Sequence, residues 1–185
     1  MSTLFIVIIA LTIACLLFVV NIFNRFVVLR NRAKEAWADI DVQLKRRYNL
    51  IPNLVNAVKG YAKHERELFE KVTQARSQAM NAQGAVEKGK AENALSGTLK
   101  SLFAVVENYP DLKAAENFKH LQEELTDTED KVQASRRFYN NNVKSLNIKI
   151  ESFPSNIIAQ LFNYKKMELF ELKEAEQREV PKVEF

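Results

Sequence analysis

The sequence predicts an all-α protein, an N-terminal transmembrane helix followed by an up-and-down antiparallel bundle of long helices. Three observations predict it. Ser2 to Asn24 contains no charged residue. Beyond Asn24, apolar residues recur at spacings of three and four, the period of one helix face. Glycine and proline number four each in 185 residues, too few turn formers for a strand-rich fold. The expected division is an anchor over 1–24, a helical bundle over 25–178 and an extended tail over 179–185.

The first element follows from length and charge. About 20 residues at 1.5 Å rise cross the ~30 Å hydrocarbon core, and a helix satisfies its own backbone there. A cleaved signal peptide is the first competitor, but no Lys or Arg precedes the apolar run, and the run is long for one. A lipoprotein signal is the second, because Thr12-Ile13-Ala14-Cys15 loosely resembles a lipobox. The apolar Leu16 to Val20 that follows is a poor start for a mature lipoprotein. A retained anchor is the expectation. Arg25, Arg30, Arg32, Lys34, Lys45, Arg46 and Arg47 all follow the run, so the positive-inside rule puts the rest of the chain in the cytoplasm. Anionic lipid favours the same orientation.

The next helix continues the first without a linker. Phe26, Leu29, Ala33, Ala36 or Trp37, Ile40, Leu44, Tyr48 and Ile51 form one stripe, which would couple domain and membrane stiffly. Pro52 is expected to kink this helix or start the next. Leu54, Val55, Val58, Tyr61, Ala62, Leu68, Phe69, Val72, Ala75 and Ala79 form a further stripe. Gln83 to Asn93 carries Gly84 and Gly89 and no large apolar residue, so a loop is expected. A shorter helix with Leu95, Leu99, Leu102, Phe103 and Val106 inward ends at Pro110. Pro110 suits the first turn of the following helix, with Asp111 near its positive end.

Phe118, Leu121, Leu125, Thr128, Val132, Ser135, Tyr139, Asn142 and Leu146 alternate at three and four. This heptad-like seam predicts one helix from Asp111 to Ile150, about 60 Å long. Thr126 and Glu129 could form a capping box, but the seam runs through them. After a break at Phe153-Pro154-Ser155-Asn156, a last amphipathic helix is expected with Ile157, Ile158, Leu161, Phe162, Met167, Leu169 and Phe170. The tail from Arg178, with Pro181, reads as extended.

The chemical inventory is thin. The single cysteine, Cys15, excludes an internal disulfide and a cysteine metal site. Neither His64 nor His120 follows a Glu at the spacing of a di-iron bundle, and His64-Glu65 lacks the second His of a zincin. No phosphate loop, dinucleotide fingerprint or nucleophile elbow is present. Glu123-Glu124 and Glu129-Asp130 read as ordinary surface carboxylates. No cofactor, metal or catalytic residue is expected. The net charge of +4 comes from 27 basic and 23 acidic residues, mostly interleaved, which argues against nucleic acid as a partner.

What remains is a candidate interaction surface. Lys45-Arg46-Arg47 reads either as an exposed helix face or as a contact for lipid headgroups or an acidic partner. Trp37 and Tyr48 read as core or as a partner contact, and Asn53 joins the same region. Arg136-Arg137 reads as a solvated face. Asn142 lies on the seam, where a buried Asn can fix register or oligomeric state.

Three stretches together resemble the LemA family. Asn31 to Glu65, NRAKEAWADIDVQLKRRYNLIPNLVNAVKGYAKHE, resembles its N-terminal signature. ENFKHLQEELTDTEDKVQASRRFYN, from Glu116 to Asn140, is similar to its central helix. Ile150 to Glu171, with SFPSN and KKMELFE, is similar to its C-terminal signature. Asn49 departs from the Asp usual in the family before Leu-Ile-Pro-Asn-Leu, which removes a negative charge beside Arg46 and Arg47. The resemblance implies a bacterial membrane protein with long antiparallel helices and no established enzymatic activity. It also implies envelope partners, TPM-domain proteins or membrane proteases among them, through gene neighbourhood. A magnetosome-associated branch of the family points to membrane organisation. The expected function is a membrane-anchored scaffold or adaptor of the bacterial cytoplasmic membrane. The alternative is a self-assembling, homo-oligomeric membrane organiser.

Overall fold

A computed structural model describes residues 2–170. Among these residues six helices and no strand occur, so the fold is all-α. In chain order they are α1 (Ser2–Lys59), α2 (Arg66–Asn81), α3 (Gly84–Val106), α4 (Pro110–Ala114), α5 (Glu116–Glu151) and α6 (Ser155–Leu161). They form two compact units. One comprises the chain up to Ile40 together with Ser135–Leu169, and the other comprises Asp41–Ala134 with Phe170.

The first unit is built on α1. Its apolar run is long enough to cross a membrane, with a mean hydropathy of 3.1 over 18 residues, none of them buried. Further along, Ile22, Phe26 and Leu29 pack with Leu146 of α5 and with Ile158 and Ala159 of α6. The Trp37 ring lies 5.2 Å from that of Tyr139. Tyr139 and Asn147 of α5 hold the segment that follows α6, donating to the carbonyls of Glu168 and Met167 at 2.9 and 2.8 Å.

The second unit gathers the other part of α1 with α2, α3, α4 and α5 as far as Ala134. Its core contains Leu44, Ile51, Leu54, Val58, Val72, Leu95, Leu102, Leu112 and Phe118. Ala82 and Gln83 alone separate α2 from α3, and Gly84 makes the turn with a φ of 72°.

Four expectations need correction. Gln83 to Asn93 is not a loop but the start of α3, which buries Ala85, Lys88, Gly89 and Glu92. Small residues let α2 and α3 pack together there, and the buried charged ones meet polar partners, Lys88 the Ala79 carbonyl and Glu92 the Arg47 guanidinium, so no apolar stripe marks the start of the helix. Of the two alternatives at Pro52, the start of a new helix does not occur, because α1 runs on to Lys59 with Pro52 inside it. The stripe beyond it breaks instead at Gly60–Glu65. The single helix expected from Asp111 divides at Ala115, whose ψ of 123° is extended. Beyond Ala115 the helix runs unbroken through Thr126 and Glu129, as the seam implied, with Thr126 inside α5 and donating to the Gln122 carbonyl.

The last helix is the fourth correction, because α6 ends at Leu161. Asn163 adopts a left-handed φ of 54°. The Tyr164 N–H then donates to the Ala159 carbonyl at 2.8 Å, and the Asn163 N–H to Gln160 at 3.1 Å. This is a Schellman stop, with Asn in the position where Gly is most common. Met167 to Phe170 are therefore not helical. A β-branched residue pays the left-handed penalty in full, so Asn163→Val lowers stability by about 1–2 kcal/mol. Thermal unfolding of the full-length protein in detergent checks this against Asn163→Gly, which is expected to be near neutral. The predicted tail from Arg178 lies outside the described residues.

Candidate functional site

The basic tripeptide is the natural starting point. Successive helical residues are rotated by about 100°, so three neighbours cannot share a face. Lys45 and Arg46 face solvent, and Arg46 sits 3.8 Å from Asp127. Arg47 is 3% exposed and Tyr48 is 6% exposed. Arg47 is therefore a core residue and not part of an exposed surface, contrary to the expectation for the tripeptide, whereas Tyr48 takes the core position that was one of its two readings. The stripe explains why, since Arg47 lies three residues after Leu44 and four before Ile51.

Arg47 is the hub of a polar network inside the second unit. Its guanidinium donates to the Glu92 carboxylate at 2.9 Å and to the Ser96 hydroxyl at 2.9 Å, both on α3. It also meets Glu129 of α5 at 2.7 Å. The other oxygen of Glu92 accepts from the Tyr48 hydroxyl. Lys88 donates to the Ala79 carbonyl at 3.1 Å, and its ammonium lies 5.9 Å from the centre of the Tyr48 ring. Three helices, α1, α3 and α5, are thus joined by one guanidinium. Arg47 Nε and Gln43 Oε1 are buried without a hydrogen-bond partner.

The electrostatics follow from burial. Loss of water pushes the Glu92 carboxyl above its ordinary value, against the Tyr48 hydrogen bond and the charges of Arg47 and Lys88, which pull it down. Burial and the Glu92 charge push Tyr48 far up, so its hydroxyl stays a donor. A raised carboxyl is a familiar sign of acid–base chemistry. Here both Glu92 oxygens are engaged and the residue is 0% exposed, so no substrate proton lies within reach. The arrangement is suited to fixing helix register. Sequence reasoning missed Glu92, Ser96 and Lys88. The available signal was the spacing of 85, 88, 92, 95, 99 and 102, which places Lys88 and Glu92 on the buried face of α3.

The remaining candidates are dispersed. Asn53 is exposed, and Trp37 is half-buried in the first unit. Asn142, 9% exposed, donates to the Phe138 carbonyl of its own helix at 2.8 Å. Asn49, Arg137, His64 and His120 are exposed, and Arg136 is half-buried. No group of three potential metal ligands occurs among the described residues.

The LemA family model matches residues 36–185. The chain belongs to the LemA family. Protein LemA of Metamycoplasma hominis is 31% identical, over 82% of this chain and 69% of that protein. The magnetosome protein MamQ of Magnetospirillum gryphiswaldense is 28% identical, over 83% of this chain and 66% of its own length. Magnetosome protein MamQ 2 of Paramagnetospirillum magneticum is 27% identical with the same coverage. This LemA family member therefore spans just under two thirds of the magnetosome proteins it matches.

Proposed function

We propose that this LemA family member is a membrane-anchored, non-catalytic scaffold or adaptor of the bacterial cell envelope. The observation that carries the reading is α1, one unbroken helix of 58 residues. It holds an exposed apolar run at one end and core residues of both compact units beyond it. The polar network supports the same reading, because its charges are spent on holding helices together. The basic residues from Arg25 onward favour a cytoplasmic position for the domain at the inner membrane. Lys45, Arg46 and Asn53 supply an exposed contact region for an envelope partner, with TPM-domain proteins and membrane proteases as candidates by family association. The test is crosslinking of the full-length protein in native bacterial membranes. Capture of a defined heterologous envelope protein is expected, and recovery of nothing but the protein itself would sink the adaptor reading.

A second reading is self-assembly on the membrane, favoured by the relatives named as magnetosome proteins. In that case Asn142 sets register on the α5 seam, and Asn142→Leu changes the mass of a discrete homo-oligomer. Light scattering on the detergent-extracted protein decides it. A monomer, or a mass unmoved by the substitution, removes Asn142 from that role.

A further inference from the structure

The turn into α6 and α6 itself carry an apolar surface that the anchor and scaffold reading leaves unused. Ser152 to Tyr164 contains no charged residue. Phe153 is 81% exposed, Leu161 74%, Ile157 58% and Phe162 47%. Ile157 and Leu161 are four apart and share a face of α6. The inner face of the same helix, Ile158 and Ala159, is buried against α1 and α5.

The position of this surface along α1 is what gives it meaning. The Phe162 ring lies 4.7 Å from that of Phe23, and Tyr164 stacks on Phe26 at 4.8 Å. Val19 and Ile22 also belong to this cluster. From Thr3, a rise of 1.5 Å per residue uses up the ~30 Å hydrocarbon core at about Phe23. The end of α6 at Phe162 therefore lies where α1 leaves the core.

Beside them is a basic cleft of about 320 Å³ lined by Arg30, Lys34, Lys165 and Lys166, with Asn163 and Tyr164. Lys166 is paired with Glu151. Cations set just outside an apolar surface, with a tyrosine between, are the arrangement of an interfacial membrane contact.

Resting on the reading that α1 spans a bilayer, we propose that α6 and its preceding turn form a second membrane contact. Phe153, Ile157, Leu161 and Phe162 sit in the acyl boundary of the leaflet that α1 leaves. The basic cleft faces the phosphates of anionic lipids in that leaflet. The protein then grips one leaflet at two points, which fixes the rotation of α1 about its axis.

The test uses the full-length protein with Cys15→Ser in phosphatidylcholine bilayers containing phosphatidylglycerol. A nitroxide is placed singly through Leu161→Cys, Leu17→Cys or Val42→Cys, and its collisions with oxygen and with a water-soluble nickel complex are measured. The oxygen-to-nickel ratio at position 161 is expected to approach that at 17 and to exceed that at 42. A ratio at 161 equal to that at 42, with 17 in lipid, overturns the second contact and leaves the anchor standing. A label at 17 that reads as water overturns the anchor itself. Exclusion of both reagents at 161 means protein covers this face, which also overturns the proposal. In a second arm, lipid retained in bilayer discs is measured. Phosphatidylglycerol is expected to be enriched over phosphatidylcholine, by about fivefold less for each cation removed in Arg30→Ser, Lys34→Ser or Lys165→Ser. Added inorganic phosphate is expected to leave this enrichment in place. Equal retention of both lipids, or displacement by phosphate, overturns the headgroup assignment.

Discussion

Arg47→Met lowers the stability of the full-length protein in detergent by about 3–5 kcal/mol at neutral pH. The substitution keeps the stem volume and removes the charge. Glu92 is left 0% exposed, with Tyr48 and the more distant Lys88 as its remaining support. Glu92→Leu costs less, because Arg47 keeps Glu129 and Ser96 as partners. The double variant recovers much of the loss, since neither buried charge remains. The pH dependence has a defined sign. Burial already holds the Glu92 carboxyl above its unfolded value, and losing the guanidinium raises it further. A group raised on folding contributes fully below its unfolded pKa and loses that contribution as pH rises through the folded one. The Arg47→Met deficit is therefore smaller at about pH 5 than at about pH 8. Denaturant unfolding at the two pH values checks it. A deficit below about 1 kcal/mol, or one that grows on acidification, contradicts a buried charge network.

The same network shows where the sequence is transparent and where it is opaque. The seam of α5 was legible because its buried positions are mostly apolar, from Phe118 through Val132 to Leu146. The α1 stripe from Phe26 to Ile51 was legible for the same reason. Periodicity of apolar residues is blind where the buried face is built from small and charged groups. That is the case for the first turns of α3, where Ala85, Lys88, Gly89 and Glu92 face inward. A charge reads as solvated until its partner is known, and the partner of Arg47 lies 45 residues away. The end of α6 was opaque for a local reason. Asn163 supplies a left-handed stop that Gly usually marks, so the apolar residues after it looked like further helix.

Pro52 is the other residue whose neighbours decide its effect. A proline inside a helix removes one N–H and costs about 3 kcal/mol relative to alanine. The missing donor at position 52 would have served the carbonyl four residues back, that of Tyr48. Arg76 of α2 donates its Nε–H to that carbonyl at 2.7 Å. The helix thus passes through Pro52 because a side chain from another helix replaces the lost bond. Pro52→Ala is expected to raise stability by about 1–3 kcal/mol, less than the full proline penalty because the carbonyl is already served. Arg76→Ala is expected to cost about 1.5–3 kcal/mol in the native background, where it strands the Tyr48 carbonyl. In the Pro52→Ala background the restored N–H takes over, and the same substitution costs at least about 1 kcal/mol less. A double-mutant cycle by chemical denaturation of the full-length protein measures that coupling. Strict additivity would mean that α1 tolerates Pro52 without help from α2, and that the Arg76 contact is incidental to the continuity of the helix.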